Sequence, residues 1–297
     1  MFSCFKPQTI RHLLQQSHKL IDPLDAELLI AHVIQKPREF VVAHPNFMIR
    51  RLRDWKIGRL FKKRAHGVPL AYVTGHKEFF GLDFVINKHV LIPRPETEMI
   101  VSLALEKLKI QDSRLKTILT DVGTGSGCIP ISVTSTLKHF NTQALTVCAT
   151  DISKSALKVA KQNAQKYNVN ITFLHGNLLE PAIKRLKIKD SRLIITANLP
   201  YLTLEQFQNE HSIQHEPKRA LVADNNGLGL YEQLLKQIRL LVTNYQLLVT
   251  CLFEIDPRQS PQISGLIKKY LPDSTFEIKK DLAGHDRVVC ITIHSVS

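Results

Sequence analysis

From residue 116 onward, short apolar, β-branched runs alternate with longer amphipathic segments, and this alternation leaves few folds open. Strands are predicted near 117–121, 145–150, 171–175, 192–197, 246–255, 274–279 and 287–294. Helices are predicted near 128–138, 153–167, 229–243 and 258–271. Strand and helix in turn imply parallel crossovers, so the expected architecture is a doubly wound, seven-stranded, Rossmann-like α/β sheet. The last two runs, separated by a turn containing Gly284, suit an antiparallel edge. No internal repeat and no low-complexity tract interrupts the pattern.

The first 76 residues read differently. Residues 8–21 predict an amphipathic helix with Ile10, Leu13, Leu14, Leu20 and Ile21 on one face. Asp22-Pro23 reads as an N-cap followed by proline at the first helical position, opening a helix to about Ile34. Helices near 37–43 and 47–65 follow, with no strand signal, so residues 1–76 are expected to form a small helical bundle. Residues 77–92 suggest a connecting β-hairpin, with Phe79, Phe80, Phe84, Val85 and Ile86 around Gly81 and Asn87. Residues 93–297 would then be the α/β domain. Two prolines flank Arg94, which they would hold ready for a substrate or loop contact. Glu96 and Glu98 open the helix that follows, where acids complement the dipole.

Charge is uneven. Residues 1–78 carry fourteen Lys and Arg against six Asp and Glu, so eight of the net fourteen positive charges lie there. Arg50, Arg51, Arg53, Lys56, Arg59, Lys62, Lys63 and Arg64 form the densest patch. Such a helix is either a solvated face or a contact for an acidic protein or a phosphate backbone. No apolar run approaches the ~20 residues of a membrane helix. No signal-peptide core opens the chain; the lack of acids before Asp22 leaves a transit peptide open, though one apolar helix face accounts for the same residues. The five cysteines are scattered and form no Cys-x-x-Cys, which argues for a reducing, cytoplasmic setting and against structural zinc or disulfides. His211 and His215 stand four apart, but a metal would want further ligands, and none is expected.

The chemistry gathers where strands end. The first strand of the sheet runs into Asp121-Val122-Gly123-Thr124-Gly125-Ser126-Gly127. Gly-x-Gly-x-Gly is neither a dinucleotide fingerprint nor a phosphate-binding P-loop. Asp121 would sit badly beside a pyrophosphate and well beside an ammonium group. The next strand ends in Asp151, an acid placed to meet a ribose diol. A ribose, a positive end and no phosphate together point to S-adenosylmethionine. A later strand, Leu193-Ile194-Ile195-Thr196, ends in Asn198-Leu199-Pro200-Tyr201. The Asn198 side chain and the Leu199 carbonyl are two acceptors for a planar NH2 group, Pro200 stiffens the loop, and Tyr201 offers an aromatic wall.

These residues resemble the class I S-adenosylmethionine-dependent methyltransferases, and more closely the protein-release-factor glutamine methyltransferases of the PrmC/HemK family. The resemblance is carried by Leu91-Ile92-Pro93-Arg94-Pro95-Glu96-Thr97-Glu98, the Asp121–Gly127 loop, Asn198–Tyr201, Glu216-Pro217 and Lys280–Arg287. Pro69–Gly75 and Phe79-Phe80-Gly81 match as well, so it spans nearly the whole chain. It implies methylation of the side-chain amide nitrogen of the glutamine in the Gly-Gly-Gln motif of class 1 peptide chain release factors. It also implies a seven-stranded methyltransferase sheet, an N-terminal domain for substrate recognition, and a cytoplasmic monomer with no membrane contact.

The cofactor site carried over is Asp121, Gly123, Thr124, Gly125, Ser126, Gly127, Asp151, Asn177, Leu178 and Asn198, with S-adenosylhomocysteine as product. Asn198, Leu199, Pro200 and Tyr201 would be catalytic; Arg94, Glu96, Asn198 and Tyr201 would bind substrate. Three positions depart from the family pattern. Leu199 replaces a proline but keeps the carbonyl, Asn177 replaces an acid near the adenine, and Leu178 replaces an aromatic, which would weaken stacking.

Three rival readings remain at this level. An N6-adenine methyltransferase for RNA or DNA would use the same socket for the same two N–H groups. A glutamine methyltransferase acting on a ribosomal protein would share the chemistry. An idle binding module could keep the fold without the reaction.

Overall fold

The computed structural model describes residues 8–109, 116–138, 145–186, 191–245 and 247–294, the side chains of Arg51 and Leu52 aside. The leader before Gln8, and Arg51 of the basic patch, lie outside that description. The chain divides into two compact units, Met1–His76 and Lys77–Ser297.

The first unit holds β1 (Gln8–Thr9), α1 (Ile10–Ser17), α2 (Pro23–Ile34), α3 (Arg38–Ala43), β2 (Met48–Ile49), α4 (Arg51–Ala65) and α5 (Leu70–Thr74). Asp22 caps α2 by accepting from the Leu24 N–H at 2.8 Å, with Pro23 at the first helical position. Ile10, Leu13, Leu29, Ile30, Ile57 and Phe61 form its core. Two expectations are corrected: α1 ends at Ser17 and leaves Leu20 exposed, and β1 and β2 pair antiparallel, Gln8 with Ile49 and Thr9 with Met48. A two-residue ladder has no periodicity to read in sequence. On α4 the basic face is exposed at Arg53, Lys56, Arg59, Lys62 and Lys63, whereas Arg64 pairs with Asp25 at 2.5 Å.

The second unit opens with a hairpin of β3 (His76–Phe79) and β4 (Leu82–Val85). Phe80 and Gly81 form its two-residue turn with φ of 51° and 70°. Two positive φ values in succession match the right-handed twist of the flanking strands. The Phe80 N–H donates to Glu98 Oε1 at 2.9 Å, so Glu98 secures the hairpin as well as opening α6 (Glu98–Lys109). Then follow β5 (Lys116–Val122), α7 (Cys128–Leu137), β6 (Leu145–Asp151), α8 (Lys154–Lys166), β7 (Thr172–His175), α9 (Glu180–Arg185) and β8 (Ser191–Ala197). The chain finishes with α10 (Leu204–Asn209), α11 (Gly229–Tyr245), β9 (Leu248–Glu254), α12 (Ser260–Tyr270), β10 (Thr275–Lys280) and β11 (Asp286–Ile293).

The sheet has seven strands in the order β10-β11-β9-β8-β5-β6-β7. The pairings from β9 through β7 are parallel, and β11 runs antiparallel to both β9 and β10. All seven residues of β8 are buried, as its continuous apolar run requires of a central strand covered on both faces. Leu234, Leu235 and Ile238 of α11 join Leu193, Ile195, Val249 and Cys251 in the core on one side. Chain order reverses between β5 and β8, which places the switch point, and hence the expected ligand crevice, at their carboxyl ends. Asn163 of α8 ties the hairpin to that rim. Its side chain accepts from the Val85 N–H at 2.8 Å and donates to the carbonyls of Val85 and Ser126, both at 3.0 Å.

Candidate active site

A cavity of about 650 Å³ opens at that switch point, wholly within the second unit. The loop after β5 forms its floor. Gly123 and Thr124 donate their N–H groups to the Thr150 carbonyl at 2.9 and 3.0 Å, and Gly125 donates to Asp151 Oδ2 at 2.9 Å. Gly123 has φ of 72°, and a Cβ there would lie 2.9 Å from Leu199 Cδ2. The position therefore needs glycine both for its backbone conformation and for the close approach of the next loop. Gly123, Thr124, Gly125 and Ser126 line the cavity; Asp121 and Gly127 lie behind its wall.

Asp121 is 1% exposed. Its Oδ1 accepts from Thr196 Oγ1 at 2.7 Å, while Oδ2 is buried with no hydrogen-bond partner among the described residues. Burial pushes the carboxyl up to about 7, against the nearby hydroxyls of Thr124 and Thr196, and the charge of Asp151 adds to the rise. A buried acceptor without a donor is costly, and a cation or N–H donor bound above the loop would relieve it. The sign for stability follows. Between about pH 4 and pH 7 the folded protein retains a proton that the unfolded chain has released, so stability falls as pH rises through that window. Ligand-free Asp121→Asn should therefore lose less stability between about pH 5 and pH 7.5 than the parent. Urea titrations at the two pH values measure this, and an identical loss in both proteins would contradict it.

Asp151, at the end of β6, faces the cavity and is held by the N–H groups of Gly125 and Ser153, the latter at 2.7 Å. Burial raises its carboxyl, and those two N–H groups pull it back. Asn177 and Leu178 line the same wall. Leu178 has φ of 47°, a left-handed conformation that a leucine adopts only when its surroundings impose it. Its carbonyl accepts from Thr150 Oγ1 at 2.7 Å, which ties it to β6.

The loop after β8 completes the cavity. Asn198, Leu199 and Pro200 line it; Tyr201 does not. The expected aromatic wall is thus corrected. Tyr201 lies largely buried, near Glu254, Arg287, Arg94 and Asp256, where burial pushes its hydroxyl well above the usual range. Its carbonyl accepts from Gln259 Nε2 at 3.0 Å.

Asn198 Nδ2 donates to Thr97 Oγ1 at 2.9 Å, which leaves Oδ1 as the end not engaged by Thr97. The Leu199 N–H donates to Tyr231 Oη at 3.1 Å.

Arg94 lines the cavity and pairs with Glu216 Oε1 at 2.5 Å; Glu216 Oε2 accepts from the Ile92 N–H at 3.0 Å. A buried carboxylate thus orients the arginine. Glu96 is exposed and does not line the cavity, so its expected substrate role would concern the part of the substrate outside it. His211–Ile213 is a single 3₁₀ turn, so His211 and His215 do not share a helix face. Among the described residues no group of three or more His, Cys, Asp or Glu side chains could hold a metal ion, and no helix is long and apolar enough to cross a membrane. Tyr231 and Glu254 carry no sequence signal, and Glu216 and Thr97 stand in motifs of the family resemblance that assign them no role.

A family model described as the PrmC N-terminal domain matches residues 8–75, and one described as ribosomal protein L11 methyltransferase (PrmA) matches residues 96–213. A release factor glutamine methyltransferase of Bacillus subtilis is 37% identical over 274 residues, covering 91% of each chain. One of Staphylococcus aureus is 32% identical over 280 residues, covering 94% of each, and one of Coxiella burnetii is 33% identical over 269 residues, covering 90% of each. Among solved structures, the hMettl16 catalytic domain in complex with MAT2A 3′UTR hairpin 1 superposes with a TM-score of 0.55 at 14% identity, covering 90% of this chain and 91% of that one. That likeness bears on the fold.

Proposed function

We infer that this chain, which belongs to the release factor glutamine methyltransferase family, methylates the side-chain amide nitrogen of the Gly-Gly-Gln glutamine in class 1 peptide chain release factors. The strongest support is the orientation of Asn198. With its NH2 end given to Thr97, Oδ1 is the end left over on a side chain that lines the cavity, next to Leu199. Two acceptors at that spot suit the two N–H groups of a primary amide.

S-adenosylmethionine supplies the methyl on a positive sulfur, and S-adenosylhomocysteine is the product. The residues present fit that group: Asp151 suits the ribose diol and Asn177 the adenine amino group, while the orphaned Asp121 oxygen behind the wall favours a positive charge in the cavity next to it. An amide nitrogen is a poor nucleophile because its lone pair is delocalised, the same resonance that makes peptide rotation cost about 18–20 kcal/mol. Asn198 Oδ1 and the Leu199 carbonyl, by gripping both N–H groups, favour a pyramidal nitrogen and hold its lone pair in line. Positioning of that kind can supply about 7–11 kcal/mol of a barrier. No general base is needed for the grip, and the nitrogen's proton leaves to water after transfer. Residues 1–76 serve substrate recognition in this account. The exposed basic face of α4 suits an acidic surface, whether protein or nucleic-acid phosphate. The enzyme is expected to act as a monomer in the cytoplasm, in keeping with four buried free cysteines among the described residues.

The test is methyl incorporation from labelled S-adenosylmethionine into purified release factor, ribosomal protein L11 and RNA. Label on release factor alone, lost when its Gly-Gly-Gln glutamine is replaced, is expected. Label on RNA or on the ribosomal protein instead would overturn the assignment.

A further inference from the structure

The Asn198 side chain and the main chain at Leu199 are each held by a hydrogen-bond chain that ends on one residue, Glu254, the last of β9. In the first chain Asn198 Nδ2 donates to Thr97 Oγ1 at 2.9 Å, and the Thr97 hydroxyl donates to Glu254 Oε2 at 2.6 Å. In the second, the Leu199 N–H donates to Tyr231 Oη at 3.1 Å, and the Tyr231 hydroxyl donates to the Glu254 main-chain carbonyl. Thr97, Tyr231 and Glu254 are all buried.

We propose that Thr97 and Glu254 form a positioning relay that decides which end of the Asn198 amide faces the cavity, while Tyr231 anchors the main chain at Leu199. The proposal rests on the amide-methylation reading above and deepens it. An asparagine amide has nearly the same shape either way round, so packing cannot choose between its oxygen and its NH2. Polarity can. An ionised carboxylate only accepts hydrogen bonds. Glu254 therefore obliges Thr97 to donate, and the lone pairs of Thr97 then accept from Asn198. Asn198 is left with its NH2 toward Thr97 and its oxygen toward the substrate amide. Reversed, it would set a donor against the donors of the substrate.

Protonation of Glu254 removes that bias. A neutral carboxyl can donate to Thr97, which can then donate to Asn198 Oδ1 and turn the amide over. Burial pushes the Glu254 carboxyl up to about 7, with Thr97 and Arg287 opposing, Glu96 adding and Arg94 opposing. Tyr201, Tyr231 and the Cys128 thiol face it as neutral groups, each pushed up by burial. The relay thus carries its own pH signature: activity rises with pH as Glu254 ionises.

Thr97→Val keeps the side-chain shape and breaks the relay. Its kcat on release factor should fall about 10–100-fold, the scale of a buried polar group left mispaired, with KM for S-adenosylmethionine unchanged. Its acid limb near neutral pH should vanish, while Thr97→Ser should keep the wild-type pH profile. Glu254→Gln, nearly isosteric, should have low and pH-independent kcat. Titration with S-adenosylhomocysteine confirms that each variant is folded. If Thr97→Val does not fold, the pH profile of Glu254→Gln decides. Wild-type kcat with an intact acid limb in either variant would overturn the relay. A parent enzyme that leaves the glutamine amide unmethylated would instead sink the underlying reading.

Discussion

Replacing Asn198 with alanine is expected to lower methyl transfer to release factor by about 10²–10³-fold, the range seen when one preorganised hydrogen-bonding group is taken from a reacting centre. The loss should fall on kcat. The substrate docks through many contacts, but only Asn198 Oδ1 and the Leu199 carbonyl meet the amide whose geometry must change. The variant also leaves the Thr97 hydroxyl paired with Glu254 and the cavity otherwise lined as before, so S-adenosylmethionine should still bind. Steady-state kinetics alongside calorimetric cofactor binding measure both. A variant that binds cofactor and methylates at the parental rate would remove Asn198 from the chemistry.

A second large effect is expected far from any reacting atom. Gly227 has φ of 82°, and a Cβ there would lie 1.9 Å from the Tyr201 carbonyl oxygen and 2.6 Å from Gln259 Nε2. Those two atoms hydrogen-bond each other, and Gln259 also donates to the Asn226 carbonyl at 2.9 Å, so the turn at Gly227 pins the loop that carries Asn198 and Leu199. Gly227→Ala pays twice, once for the left-handed backbone and once for the clash. The expected cost is about 3 kcal/mol, or a fall in Tm of roughly 6–12 °C, with loss of activity in the folded remainder. Differential scanning calorimetry and the transfer assay test this. An alanine variant with parental Tm and rate would show that the turn does not hold the loop.

What sequence could and could not disclose follows from where each contact lies. Gly123, Asp151 and Asn198 were legible because a parallel sheet brings the carboxyl ends of its strands to one rim, so successive strand-end motifs must meet. The helix start at Asp22-Pro23 was legible because capping is local. The relay was not. Thr97 and Glu254 are 157 positions apart, and nothing in a threonine after a glutamate, or a glutamate closing an apolar strand, foretells their bond. The role of Glu216 was not legible because its partner Arg94 lies 122 positions upstream. The Tyr201 wall was not legible because a ring next to a socket in sequence need not line it; this one lies buried near Glu254, Arg287 and Arg94. Glu96 shows the converse, since the motif around it enters the site while its own side chain is exposed.

The claim beneath all of this is geometric, and a structure of the enzyme with S-adenosylhomocysteine and a Gly-Gly-Gln peptide measures it. The account predicts the glutamine amide nitrogen within about 2.7–3.2 Å of both Asn198 Oδ1 and the Leu199 carbonyl oxygen. A glutamine held elsewhere in the cavity, or an Asn198 whose NH2 group faces it, would contradict the account.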